Sequence, residues 1–353
     1  MSRRDPRHLD EDDVRVRPQR GKSRPRSKER PDYTDAVVGT VIGVDRGRWT
    51  VALSADDADA GQQPPNSDDF RVITAMRARE MGRKGVVVGD HVALDGDIGG
   101  GGDALARIVR LEPRRTTLRR TADDTDPVER VIVANADQLA IVVALADPAP
   151  QSRLVDRALV AAYDGGLEPL LVLTKADLQS PDELLRTYAA LAVPHVVTQL
   201  HAAVDPGGLD ALRAHLDGRT TVLVGSSGVG KSTLVNAIVP DADRRVGHVN
   251  AVTGRGRHTS TSAVALPLGD GASGWIVDTP GIRSFGIAHV DPGRVIHAFP
   301  DLQSGTAECP RGCTHDEEEC GLDEWVATGG STAERLESLR RLLRSRTSDA
   351  RER

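Results

Sequence analysis

Apolar positions fall into two textures along the chain. Between residues 36 and 112, short runs rich in valine and isoleucine alternate with turns: AVVGTVIGVD, WTVALS, FRVITAMRA, GVVVGDHVALDG and ALARIVRL, bounded by glycine and aspartate. Five such strands predict a small β-barrel, for which the oligonucleotide-binding (OB) arrangement is the commonest five-stranded solution. Two stretches between them, DDADAGQQPPNSDD and GDIGGGGD, read as long loops. From about residue 130 the runs QLAIVVAL, PLLVLTK, PHVVTQL and TTVLVGS are apolar without alternation, as strands buried on both faces of a parallel sheet are. Segments of helical length, RLVDRALVAAYDGG, PDELLRTYAALA and GLDALRAHL, separate them, which predicts a doubly wound α/β domain. The later segment STAERLESLRRLLRSR opens with a capping box, Ser331 to Glu334, and sets Leu336, Leu339, Leu342 and Leu343 on one helical stripe.

Composition narrows the class. The chain has 353 residues, 39% hydrophobic and 28% charged, enough for an ordinary core and long enough for two or three domains. No run approaches the roughly 18 consecutive apolar residues of a membrane helix, and MSRRDPRHLDEDD has no apolar stretch of the kind a secretory leader carries. The three cysteines all lie between Cys309 and Cys320, which argues against a disulfide framework and for a reducing compartment. A cytoplasmic, multidomain monomer with no membrane association is the expectation. The net charge of −6 conceals a basic block, residues 14–31 (VRVRPQRGKSRPRSKERP), with eight basic side chains against Glu29. It reads as a disordered arm, either a nucleic-acid contact that releases counterions from phosphates or a solubility tail. With 41 arginines to 5 lysines overall, arginine richness alone says little. The barrel segment holds only Trp49 and Phe70 as aromatics, so RNA binding there would rest on shape and backbone charge; a purely structural barrel fits its composition too.

The sharpest motif is Gly225-Ser226-Ser227-Gly228-Val229-Gly230-Lys231-Ser232, a full phosphate-loop match between the strand TTVLVG and the helix STLVNAIV. Its backbone N–H groups suit phosphates, as does the helix N-terminus with Thr233 in its first turn. Lys231 is placed to reach the β and γ phosphates, and Ser232 to bind Mg²⁺. Asp278-Thr-Pro-Gly281 ends the strand SGWIVD, as the D-x-x-G element does in GTPases; Asp278 would hold Mg²⁺ through water and the Gly281 N–H would sense the γ-phosphate. Thr174-Lys175-Ala-Asp177 ends PLLVLT and resembles the N-K-x-D guanine box, with Asp177 to accept from guanine N1–H and the 2-amino group and Lys175 to lie over the base. Threonine replaces the usual asparagine, and its hydroxyl can supply one bond. Ordinary GTPases run phosphate loop, D-x-x-G, N-K-x-D. Here the guanine box comes first, a circular permutation that places D-x-x-G directly before the cysteines.

Cys309-x3-Cys313-x-His315-x4-Cys320 offers three thiolates and an imidazole, the complement of a closed structural Zn²⁺ site. A redox cluster and chance spacing are the alternatives.

Together these elements resemble the RsgA (YjeQ-type) family, circularly permuted GTPases of the small ribosomal subunit. The likeness spans VGDHV, ERVIVANADQLAIVVA, the permuted boxes, GRGRHTST (residues 254–261, like the family's switch I) and the cysteine cluster. Covering roughly residues 36–330, it implies an OB-type barrel over 36–112, a circularly permuted P-loop GTPase domain over 113–300 and a zinc-binding α domain over 301–353, which includes the C-terminal helix; the disordered basic arm read from composition occupies 1–35. The likeness also implies docking on ribosomal RNA, a role in late small-subunit maturation, and GTP hydrolysis to GDP stimulated by that subunit. Departures are Thr174, a shortened cysteine spacing, and VTQLHA where a guanine-supporting S-A box stands in the family. Ile282 occupies the place where many GTPases carry glutamine, so intrinsic hydrolysis should be slow. His258 is the candidate to orient water; contact with RNA or a structural role in switch I are its other readings. A hydroxyl among Thr259, Ser260 and Thr261 should complete the Mg²⁺ shell. The rival to an enzyme is an RNA-binding scaffold whose nucleotide is a structural occupant.

Overall fold

The computed structural model describes residues 33–45, 47–54, 70–81, 85–99, 105–121, 129–199, 207–239, 242, 263–269, 272–279, 287, 290–317 and 319–345. The basic arm, the loop at 56–69, residues 100–103 of GDIGGGGD, the segment 254–261 with His258, Thr259, Ser260 and Thr261, and Gly281 and Ile282 lie outside the described residues.

The alternating runs form a closed five-stranded barrel: β1 (Val37–Asp45), β2 (Arg48–Ser54), β3 (Phe70–Arg77), β4 (His91–Gly96) and β5 (Ala106–Leu111). Closure comes from β1, which pairs with β2 on one side and β4 on the other, while β5 joins β3 to β4. Period-2 alternation divides the side chains. Val41, Val51, Leu53 and Ile73 fill the barrel interior, while Ile42 and Ala52 belong to the core that continues beneath the rest of the chain. Trp49 is buried, its indole N–H donating to the Val86 carbonyl at 3.1 Å, so it serves packing.

The run GVVVGDHVALDG gives a strand only from His91, because VGDHV forms a joint. Gly89 takes φ +85°, and a Cβ there would stand 1.9 Å from the Ala134 carbonyl oxygen. That close approach lets Ala134 N–H reach the Val88 carbonyl at 3.0 Å. The fully buried Asp90 carboxylate takes both Arg114 Nε (2.6 Å) and Nη2 (2.8 Å). Residues beyond the barrel form a two-stranded sheet of β6 (Thr117–Arg120) and β7 (Arg130–Ala134).

The second texture forms the expected α/β layer: β8 (Gln138–Ala144), α1 (Ser152–Gly165), β9 (Glu168–Thr174), α2 (Asp182–Tyr188), β10 (His195–Val197), α3 (Gly208–Leu216), β11 (Arg219–Val224), α4 (Lys231–Ile238), β12 (Val264–Gly269) and β13 (Ala272–Asp278). Order β10-β9-β8-β11-β13 is parallel throughout, and β12 adds antiparallel to β13. Strand β12 has no counterpart in the sequence reading, since Pro267 interrupts its apolar run; it sits opposite Trp275 just before a register shift. Gly43 of β1 pairs with Val264 of β12, so one eleven-stranded sheet runs from the α/β layer into the barrel.

After short helical turns over 292–303 come α5 (Gly321–Ala327) and α6 (Ala333–Arg344). The leucine stripe is buried as expected. The cap is not Ser331: Thr332 is the N-cap and accepts from Arg335 N–H at 3.2 Å, because the Ser331 hydroxyl is engaged with Asp301 Oδ2 at 2.5 Å. Arg335 and Arg341 tie α6 to the α/β layer, donating to the Ala190 and Thr187 carbonyls at 2.7 and 3.1 Å. Arg157 of α1 reaches the Ser345 carbonyl at 3.0 Å. Among the described residues, no helix is long and apolar enough to cross a membrane.

Candidate functional site

Parallel strands gather loop chemistry at their carboxyl ends, and each predicted nucleotide element follows such an end. Ala144 of β8 is level with Thr174 of β9, Ile141 with Val224 of β11, and Leu223 with Asp278 of β13. The guanine-box strand thus precedes the phosphate-loop strand, which precedes the D-x-x-G strand, all on one edge.

The phosphate loop leaves β11 at Gly225 and enters α4 through Gly230, whose φ of +97° caps the helix in a conformation that favours glycine. Lys231 is buried, its ammonium donating to the Gly225 and Ser226 carbonyls at 2.7 and 2.8 Å. Burial lowers its pKa, and the Asp278 carboxylate opposes that shift. Burial likewise raises the Asp278 pKa, opposed by Lys231. Each charge is therefore the other's compensation in a partly desolvated cleft. Ser232 and Thr233 stand exposed in the first turn of α4, with Ser227 and Gly228 exposed in the loop. The neighbouring Thr279 hydroxyl donates to the Leu223 carbonyl at 2.7 Å, fixing the exit of β13 against β11.

At the guanine box, Thr174 is buried and its hydroxyl donates to the Val229 carbonyl at 2.7 Å. Asp177 is exposed to solvent. Lys175 has φ +60°, and its ammonium donates to the Asp147 carbonyl. That contact brings in the segment after β8, which the sequence reading missed; Pro148 there lies 3.8 Å from where a Cβ on Gly228 would be. The only available signal was its position after a buried parallel strand. His258 and Gly281 lie outside the described residues.

Cys309, Cys313, His315 and Cys320 converge, their ligand atoms within 4.8 Å of one another. Cys309 Sγ is 3.7 Å from His315 Nδ1 and 3.9 Å from Cys320 Sγ, and Cys320 Sγ is 3.9 Å from the same nitrogen. Tetrahedral Zn²⁺ with Zn–S near 2.3 Å and Zn–N near 2.0 Å sets its ligands about 3.5–3.8 Å apart, so the group fits a metal ion. Burial pushes the Cys309 and Cys313 thiols up, Cys313 to about 12; a divalent cation among them opposes this, since a coordinated thiol loses its proton. Arg340 braces the knuckle, its Nε donating to the His315 carbonyl at 3.0 Å while its Nη atoms hold Asp323 at 2.6 and 2.9 Å.

A family model described as RsgA GTPase matches residues 111–288. The chain is 38% identical over 268 residues to a protein of Pseudomonas aeruginosa named small ribosomal subunit biogenesis GTPase RsgA, covering 74% of this chain and 76% of the relative. It is 38% identical over 267 residues to the protein of the same name from Chromohalobacter salexigens, covering 74% and 75%. Among solved structures, YjeQ from Thermotoga maritima superposes with a TM-score of 0.61 at 26% identity, covering 88% of this chain and 99% of that one. YloQ, described as a circularly permuted GTPase, gives a TM-score of 0.59 over 90% and 97% of the two chains; at 20% identity it speaks for the fold.

Proposed function

The chain belongs to the RsgA GTPase family, and on that premise we propose that it hydrolyses GTP to GDP and phosphate in the late maturation of the small ribosomal subunit, in contact with ribosomal RNA. The observation that carries this reading is the meeting of Thr174, the phosphate loop and Asp278 on one sheet edge, in permuted strand order. The loop's amides receive the phosphates, and Lys231 exchanges its two loop carbonyls for β and γ oxygens. Ser232 and, through water, Asp278 would hold Mg²⁺, which would supply charge neutralisation at the phosphates. Asp177 accepts from guanine, Lys175 covers the base, and Gly281 N–H senses the γ-phosphate. His258 orients the attacking water, since Ile282 cannot.

Residues 36–112 act as the OB-type barrel, 113–300 as the GTPase domain and 301–353 as the zinc-binding domain, with 1–35 a basic arm. The cysteine cluster holds one Zn²⁺ whose role is structural, because all four ligand positions come from protein. The protein works as a cytoplasmic monomer.

GTP turnover with and without purified small subunits tests this reading. Slow hydrolysis alone, accelerated by subunits, is expected. Binding without acceleration would favour the scaffold whose nucleotide is a structural occupant.

A further inference from the structure

Thr174 stands where the guanine box ordinarily has asparagine, and its geometry gives it a different task from reading a base. Its hydroxyl donates to the Val229 carbonyl at 2.7 Å, the Val143 carbonyl lying farther off at 3.4 Å. The residue is 3% exposed, and its own carbonyl accepts from Leu145 N–H at 3.0 Å. A hydroxyl has one proton to give, and here that proton is committed to the phosphate loop. Val229 sits between Gly228 and Gly230, at φ +81° and +97°. Neither glycine resists rotation of the adjoining peptide. Something else must set the facing of the Val229–Gly230 peptide. In a trans peptide the carbonyl and the following N–H point in opposite directions. Holding the Val229 oxygen toward β9 therefore turns the Gly230 N–H away from β9.

We propose that Thr174 is a positioning residue: its hydroxyl fixes the Val229–Gly230 peptide so that the loop is set to receive the β-phosphate, and it takes no part in recognising guanine. Recognition of the base then falls to Asp177 and Lys175. This proposal rests on the guanine-nucleotide reading above, and the phosphate contribution can be measured apart from the base.

The test compares Thr174→Val, which keeps the shape and removes the hydroxyl, with Thr174→Ser, which keeps the hydroxyl. Affinities for GMP, GDP and GTP are measured by calorimetry on the full chain, with melting curves to establish folding. Thr174→Val should weaken GDP and GTP by the same factor, about three- to tenfold for one lost hydrogen bond, and leave GMP unchanged. Thr174→Ser should restore GDP affinity. A GMP loss as large as the GDP loss would mean that the hydroxyl serves the base, and an unchanged GDP affinity in a folded Thr174→Val protein would remove the role altogether; either overturns the proposal. If the unmodified protein fails to prefer GDP over ADP, the guanine assignment fails, and the same mono- against diphosphate comparison with adenine nucleotides still decides what Thr174 does.

Discussion

The Phe70 ring stands 5.1 Å from the Trp275 ring, tilted by 53°. Phe70 is the first residue of a barrel strand, and Trp275 lies on the strand that ends at Asp278. With the Gly43–Val264 pairing, this contact joins the barrel to the hairpin that carries the D-x-x-G element. Phe70→Ala should therefore cost about 1–3 kcal/mol, less than the full penalty for a buried aromatic because the ring is only half-buried. Chemical unfolding gives the number. An unchanged midpoint would mean that the two rings meet without contributing to stability.

A second joint is electrostatic. Asp156 of α1 is buried 3.3 Å from Arg341 Nε, and the Arg341 guanidinium lies 4.8 Å over the Tyr188 ring. Burial raises the Asp156 pKa above 3.8, with Arg341 opposing the shift. Over the window between 3.8 and the raised value the folded protein binds more protons than the unfolded chain, so this group's contribution to stability falls as pH rises. Asp156→Asn should remove that fall, seen as a wild-type minus variant difference in melting temperature that changes between pH 4 and 6. A constant difference across that range would count against the assignment.

Base choice should follow Asp177. Asp177→Asn removes the acceptor for guanine's donors and should weaken GTP by about 1–3 kcal/mol. In the unmodified protein, ATP should fail to displace GDP; equal competition by ATP would end the guanine assignment.

For the cysteine cluster, elemental analysis should find one Zn²⁺ per chain. Cys313→Ser should lower the melting temperature and expose residues 300–330 to hydrogen exchange, while GDP binding survives, because none of the four cluster residues belongs to the nucleotide elements. A metal-free protein with the same melting curve would show the cluster to be dispensable.

His258→Ala should keep nucleotide and subunit binding while losing most of the subunit-stimulated rate, on the order of 10²-fold if the imidazole orients water. Single-turnover hydrolysis on purified small subunits measures this. Hydrolysis at the unmodified rate would assign catalysis to another group.

Local chemistry was legible where local rules decide structure. The barrel strands, the parallel strands and the phosphate loop follow from periodicity and from a motif whose spacing is set by phosphate geometry. What escaped the sequence depends on distant partners. VGDHV reads as strand until Ala134 is known to press on Gly89. Strand β12 is masked by Pro267, which a strand tolerates only where its missing N–H does no harm. The helix cap moved one residue because Asp301, far back in the chain, claims the Ser331 hydroxyl. The direction of the Thr174 hydroxyl is of the same kind: composition offers the group, and only the fold says that it faces Val229.

Arg157 and Ser345, hydrogen-bonded to each other, are 188 positions apart in the chain. A ribosome making this protein completes α1, the phosphate loop and the cysteine cluster before it polymerises α6. Until then the core that Leu336, Leu339, Leu342 and Leu343 help to fill is unfinished, and an arrested nascent chain would present an uncovered apolar surface to chaperones. Completion of that core therefore waits on a helix made well after the phosphate loop it supports.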